Sequence, residues 1–476
     1  MRPATPLRVI VLLAVASSVS ADTIVLKNGR RIVADDVSDD GTHVSYQTSA
    51  GQFSIPKDIV ARIDRDGFAY SSAAARAADL PISPPQVEPA HLDDEATQLA
   101  VHDHAVDFAY LARLDLEAHS GAGPAVAKDA SAHHAAAQFL LSKGDTDAAI
   151  AQYREGLTVA PNDLGLLLNL AVLDLRESQF TAALVPLERA RRVAPDSPVV
   201  AKLMGWAYYG ANKMKQAIEE WRRAEKLRPD PEVEQALQKA ERDEGEEESY
   251  REGETAHFAL KYNGSAAPDL ARSILRVLEE DFRDLEGQLS YTPPEQIGVI
   301  LYTEQSFADI TRAPGWAGAL NDGRLRIPVQ GLTDVTPELG RVLKHELTHS
   351  FVGQKSHTRA PTWLQEGIAQ YMEGRRSSSS AADLVDAAAQ GAVPPFDALE
   401  GSWMGLSGDN AAFAYAWALA AVESIIDQGG VSDISRLLDR VATAPSTETA
   451  LRDTLRLSYA DLQQQTVAYL KRAYVR

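Results

Sequence analysis

A recurrence of proline, small and bulky residues every 34 positions constrains this chain more than any other feature. Pro161, Pro195 and Pro229 stand at that interval, as do Ala149, Ala183 and Ala217, and Tyr153, Leu187 and Trp221. Ala171 and Gly205 occupy matching small positions, where two helices must approach closely. A period of this length gives one helix pair per unit, and such a pair buries its apolar face only by stacking on neighbours. Three units span roughly 128–229, enough for a continuous core.

With these sites the period resembles the tetratricopeptide repeat, a helix pair whose proline follows the second helix. The resemblance implies a surface offered to a peptide or protein partner. A helix over about 92–118 and another from Pro231 to Glu244 are expected to cap the array. The helical part thus divides into a cap over 92–127 and repeats with their capping helix over 128–244. The run Glu244-Gly245-Glu246-Glu247-Glu248 reads as a solvated hinge within 245–253.

Downstream, His345-Glu346-Leu347-Thr348-His349 concentrates the chemistry of the chain. Positions i and i+4 share a helix face, so both imidazoles can meet one metal ion. Glu346 lies beside the first of them, where a carboxylate can take a proton from a metal-bound water. Thr336 as N-cap and Pro337 at the first helical position open this helix, and Gly353 supplies a stop. Glu366, in a second helix starting at Pro361 and Thr362, offers an anionic third ligand. Two imidazoles, one carboxylate and an open position describe a catalytic Zn2+ site, not a closed structural one. The metzincin spacing fails, because Val352 and Lys355 stand where glycine and a third histidine are needed. His357 is a rival ligand, but its polar loop favours a solvated histidine.

The HELTH helix together with Trp363-Leu364-Gln365-Glu366-Gly367-Ile368-Ala369-Gln370-Tyr371 resembles the gluzincin clan, in particular the bacterial peptidase-MA-like domains. The resemblance covers roughly 254–430. It implies that His345, His349 and Glu366 bind zinc and that Glu346 is the general base of peptide hydrolysis. Where several gluzincins carry an acidic residue one turn after the glutamate ligand, this chain has Gln370. An amide there accepts from an imidazole N–H but raises ligand basicity less. Tyr415 lies where the clan often places an oxyanion-facing phenol. Its alternative is a core position beside Phe413 and Trp417, in an Ala-rich helix running from Asn410 to about Asp427.

Around these helices, His257–Tyr262 and Ile297–Tyr302 read as strands, with helical periodicity from Pro268 to Leu285 between them. Gly323 to Val329 alternates charged and apolar residues, as a half-exposed strand does, and Pro328 points to a sheet edge: either an ordinary edge or, as the resemblance implies, one that pairs with extended substrate.

At the other end, Arg2 and Arg8 precede the apolar run Val9–Val15, and Val19-Ser20-Ala21 has small residues for cleavage. Residues 1–21 are therefore expected to be a secretory signal peptide, placing the protein in a bacterial periplasm or outside the cell. There is no cysteine, hence no disulfide framework and no thiolate ligand. A formal charge of −20 disfavours nucleic acid as a partner. Residues 22–65 show short strands around Asn28-Gly29, Gly41 and Gly51 and resemble a small SH3-like β-barrel domain. Ser, Ala and Pro dominate 66–91, a linker of limited order.

The expected architecture is multidomain α+β: a small β-barrel-like domain, a helical repeat array, and a zincin-like α+β domain over 254–476. The expected activity is that of an exported zinc metallopeptidase acting on peptides or proteins, with no membrane span. The alternative is a catalytically silent periplasmic scaffold that uses repeats and peptidase fold for protein interaction.

Overall fold

The computed structural model describes residues 22–26, 31–34, 36–39, 41–48, 51–57, 60–64, 71–73, 93–119, 123–263, 268–302, 317–321, 323–329, 332–403 and 408–475. The chain divides into two compact units, Met1–Ser71 and Ser72–Arg476. In the first, β1 (Asp22–Leu26), β2 (Arg31–Ala34), β3 (Asp36–Asp39), β4 (His43–Thr48), β5 (Gly51–Pro56) and β6 (Val60–Asp64) pair antiparallel. Both expected hairpins form, with Ile24 opposite Ile32 and Tyr46 opposite Phe53. The expected barrel does not. The strands make two three-stranded sheets, β2–β1–β6 and β3–β4–β5, and no strand pairing joins them among the described residues. A barrel closes only when its outer strands pair, and here four outer strands stay separate. The expected leader lies outside the described residues, and of the expected linker only β7 (Ser71–Ala73) is described, as a strand.

The second unit starts with the cap, for which the sequence suggests one long helix. Instead α1 (Asp94–Ala100) and α2 (Phe108–Ala118) are separated by a hairpin of β8 (Val101–His102) and β9 (Ala105–Val106). Asp103 and His104 turn it with φ of 50° and 60°, a left-handed conformation that such polar residues adopt more readily than most. Asp107 restarts the helix by accepting from the Tyr110 amide at 2.9 Å.

Three helix pairs follow: α3 (Gly123–Ser142) with α4 (Thr146–Val159), α5 (Leu164–Arg176) with α6 (Phe180–Val193), and α7 (Pro198–Gly210) with α8 (Met214–Leu227). The first pair begins at Gly123, so the boundary expected at 127 falls inside a helix. The 34-residue period is the period of the packing. Ala149, Ala183, Ala217, Tyr153, Leu187 and Trp221 are all completely buried. A Cβ on Gly205 would lie 2.3 Å from the Trp221 ring, so glycine is required there. Each pair turns through one left-handed residue, Gly144, Ser178 or Asn212, again 34 apart.

The capping helix α9 (Pro231–Glu247) runs three residues beyond its expected end, and β10 (Arg251–Glu254) follows almost at once. The run expected to be a solvated hinge is helical through Glu247, with Glu247 itself buried. The sheet of this unit takes the order β10, β11 (Phe258–Tyr262), β12 (Ile297–Tyr302), β14 (Arg324–Pro328), β13 (Ala317–Asn321), β7. The expected edge strand, β14, is therefore interior. It pairs parallel with β12 and antiparallel with β13, and Pro328 stands at its end, where a missing amide is tolerated. Its arginines are buried rather than exposed because Asp243 and Glu247, one turn apart on α9, meet them. Arg326 holds Asp243 at 2.6 Å and Arg324 holds Glu247 at 2.6 Å. Tyr302 donates to Glu247 at 3.2 Å and accepts from Arg326 at 2.7 Å.

Helices complete the domain: α10 (Pro268–Leu289), α11 (Pro337–Lys355), α12 (Thr362–Met372), α13 (Ala381–Ala389), α14 (Gly408–Gly429), α15 (Val431–Thr443), α16 (Thr447–Leu455) and α17 (Tyr459–Ala473). Phe282 of α10 meets Phe258 of β11 and Phe351 of α11, at 5.9 and 5.0 Å between ring centres, and so seats α11 against the sheet.

The repeat turns touch this domain directly. Glu177 pairs with His357 at 2.8 Å, Asn212 donates to the Gln296 carbonyl at 3.0 Å, and the Thr181 amide donates to Glu295 at 2.7 Å. Asp243→Ala would leave the buried Arg326 guanidinium without its carboxylate, a class of change that costs about 3–5 kcal/mol. We expect a loss of that order in denaturant unfolding. Arg326, Lys239 and Arg324 outweigh burial and hold Asp243 below the usual carboxylate range. Its stabilising contribution is thus present above the unfolded value and is lost as pH falls through the lowered native one. The deficit of the variant should shrink in acid for that reason.

Candidate metal centre

The pentad lies on α11 as its periodicity requires. Thr336 caps the helix by accepting from the Leu339 amide at 3.1 Å, and Pro337 takes the first turn. Gly353 does not stop it. The helix continues to Lys355, and the chain reverses at His357 and Thr358, both left-handed. His357 is not part of the donor cluster around the pentad; its half-buried ring is engaged by Glu177 of the repeats.

The second helix, α12, begins at Thr362 and carries Glu366. It is set by its approach to α14: a Cβ on Gly367 would lie 2.5 Å from the Ala418 carbonyl oxygen and 2.6 Å from Val422. Only glycine lets the helices come this close, and the neighbouring Glu366 thereby reaches α11. Its carboxylate spans the two imidazoles, Oε2 at 3.4 Å from His345 Nε2 and Oε1 at 3.7 Å from His349 Nε2. Donor atoms of His345, His349 and Glu366 all fall within 4.8 Å of one another, and all three residues are buried. Coordination bonds of roughly 2.0–2.2 Å around one cation would span such separations.

Glu346 is completely buried, and neither of its carboxylate oxygens has a hydrogen-bond partner among the described residues. Burial pushes it up to about 8, with help from Glu366 and Glu373 and against His345. Burial opposes charge on His345 too, yet Glu373 and Glu366 raise it to about 10. Burial and the neighbouring His345 hold His349 well below its ordinary value. Three buried carboxyl groups thus share one pocket with two imidazoles, a nitrogen–oxygen donor set that a divalent cation would suit. The residues present fit such an ion.

Glu373 is the group that sequence reasoning misses. His345 Nδ1 lies 3.4 Å from its Oε1, and Arg375 holds the same carboxylate at 2.8 Å. Where several gluzincins have an acid one turn after the glutamate ligand this chain has Gln370, and the acidic group facing His345 comes two turns after Glu366. Gln370 instead ties α12 to α14, its amide donating to the carbonyls of Glu366 at 3.1 Å and Tyr415 at 2.9 Å. Reading i+7 as well as i+4 along this face points to Glu373. Asn321 on β13 carries no sequence signal of its role either. It donates to the Glu346 carbonyl and to Ser350, both at 2.7 Å, and joins α11 to the sheet.

Tyr415 is buried edge-on against Trp403, 5.1 Å between ring centres. Burial first, then the charges of Glu366 and Glu346, raise its phenol well above the ordinary value. The phenol therefore packs in the core and senses the site carboxylates at once.

Two stretches of the chain match protein families. Residues 291–472 match the Peptidase MA superfamily, and residues 140–206 match the tetratricopeptide repeat. No curated protein matches the chain. The chain carries a Peptidase MA superfamily domain preceded by tetratricopeptide repeats.

Removing the charge that supports a ligating histidine typically costs 10–100-fold in metal affinity or activity. Glu373→Gln should therefore weaken Zn2+ binding by roughly that factor in competition with a chromophoric chelator. An unchanged affinity would show that the carboxylate does not support His345.

Proposed function

We propose that this protein is an exported zinc-dependent metallopeptidase of the gluzincin type, whose repeat array holds a peptide or protein partner. The observation that carries the reading is the convergence of His345, His349 and Glu366 donors within 4.8 Å, beside the bare buried carboxylate of Glu346. His345, His349 and Glu366 are the metal ligands, and two imidazoles with one carboxylate suit Zn2+. When bound, the ion supplies Lewis acidity, lowering the pKa of water and polarising the scissile carbonyl.

The chain's own groups do the rest. Glu346 accepts a proton from the attacking water and delivers it to the leaving amine. The Tyr415 phenol donates to the carbonyl oxygen as negative charge develops. Glu373 orients His345 and raises its basicity. Export is supported by the basic, apolar and small-residue runs of the first 21 residues. Among the described residues no helix is long and apolar enough to cross a membrane.

Purified protein should contain zinc, and His349→Ala should lose it by metal analysis. Glu346→Gln should keep the metal while peptide cleavage falls by roughly 10²–10⁴-fold. If wild type and Glu346→Gln cleave a broad peptide library equally poorly, the silent-scaffold reading replaces this one. Tyr415→Phe should lower kcat by roughly 10²–10³-fold at little cost in KM, as loss of one oxyanion donor does. A kcat equal to wild type would return Tyr415 to a packing role alone.

A further inference from the structure

A second cluster of potential metal donors lies between the helical cap and the first repeat pair, on elements apart from the HELTH helix. Asp115 stands on α2, and Asp129 and His133 stand one turn apart on α3. Their donor atoms fall within 4.8 Å of one another. Asp129 is completely buried and His133 nearly so, whereas the Asp115 side chain keeps 29% of its surface exposed and leaves a way in.

The imidazole is held in a specific state. His133 Nδ1 lies 3.0 Å from Gln152 Oε1, and an amide oxygen only accepts, so Nδ1 carries the proton. In the neutral ring Nε2 is then a lone pair, and it faces Asp115 Oδ1 at 3.1 Å and Asp129 Oδ1 at 3.7 Å. A lone pair opposite two carboxyl groups needs a proton or a cation between them. A second proton on the ring would serve Asp115, the nearer acceptor, but 3.7 Å is too long for a hydrogen bond to Asp129. Neither Asp129 oxygen has a hydrogen-bond partner among the described residues, although both are buried. A cation in the same place would satisfy all three groups together.

We propose that Asp115, Asp129 and His133 bind a divalent first-row transition ion that pins α2 to α3. One imidazole and two carboxylates form a nitrogen–oxygen donor set suited to Zn2+ or Mn2+. Gln152 fixes the ring tautomer from outside, as hydrogen bonds to ligating histidines do. The ion clamps the cap to the first repeat pair, because α3 belongs to that pair.

The test is metal stoichiometry on the full chain, dialysed against Zn2+ and separately against Mn2+. Asp129→Asn and Asp115→Asn should each bind one equivalent less than wild type, whatever the HELTH centre holds, and should leave peptide hydrolysis unchanged. The difference between wild type and variant is the readout, so failure of the peptidase reading cannot imitate failure here. Asp115 is partly exposed, which keeps the test open if Asp129→Asn does not fold. Equal metal content in wild type and in either folded variant, checked by circular dichroism, overturns the proposal and leaves a protonated His133 as the counter-charge.

Discussion

A carboxyl group buried in the interior must be answered by positive charge, by hydrogen bonds or by a proton, and that requirement recurs through the second unit of this protein. It operates between α9 and the sheet, where Asp243 and Glu247 enter the interior opposite Arg326 and Arg324. It operates again between α11 and α12, where Glu346, Glu366 and Glu373 gather around two imidazoles. In the first case the counter-charge is built from side chains and the result is a fixed joint. In the second, two imidazoles and three carboxyl groups converge in one pocket, the donor set of a candidate cation site.

The joint has a geometric consequence. Because α9 is both the last helix of the array and a buried wall of the sheet, repeats and peptidase domain form one compact unit. The repeat turns add contacts at Glu177, Thr181 and Asn212, and the first of these lands on His357 just after the HELTH helix. A partner held by the array is thereby held at a set position relative to β12 and α11. That is a different arrangement from a tethered module joined through a flexible acidic stretch.

Local pattern is legible in the sequence, and long-range compensation is not. The 34-residue period, the cap at Thr336, the start of α12 and the strands β11, β12 and β14 all follow from spacing and side-chain type. Alternating arginines on β14 look like a solvent face until Asp243 and Glu247 are seen opposite them, which is why its burial escapes a local reading. The same blindness, from the other side, turns the end of α9 into a hinge. A run of glutamates is solvated unless something far away in the chain pairs with it. His357 escapes for an equal reason, since its partner lies in a repeat turn 180 positions earlier. Barrel closure in the first unit requires pairings that strand-length patterns do not specify.

Among the acidic groups of the metal centre, one differs from the rest. Glu366 is shared between His345 and His349, and Glu373 is held by Arg375 and faces His345. Each is oriented by at least two contacts, as a ligand and its support must be. Glu346 has no hydrogen-bond partner for its carboxylate among the described residues, and its backbone is what is tied down, by Asn321. A group that exchanges protons during a reaction needs an unoccupied lone pair in one step and a free path for the proton in the next. Tying it into a network would lower its pKa and block both. The bare carboxyl group of Glu346 is thus arranged as the proposed proton carrier requires.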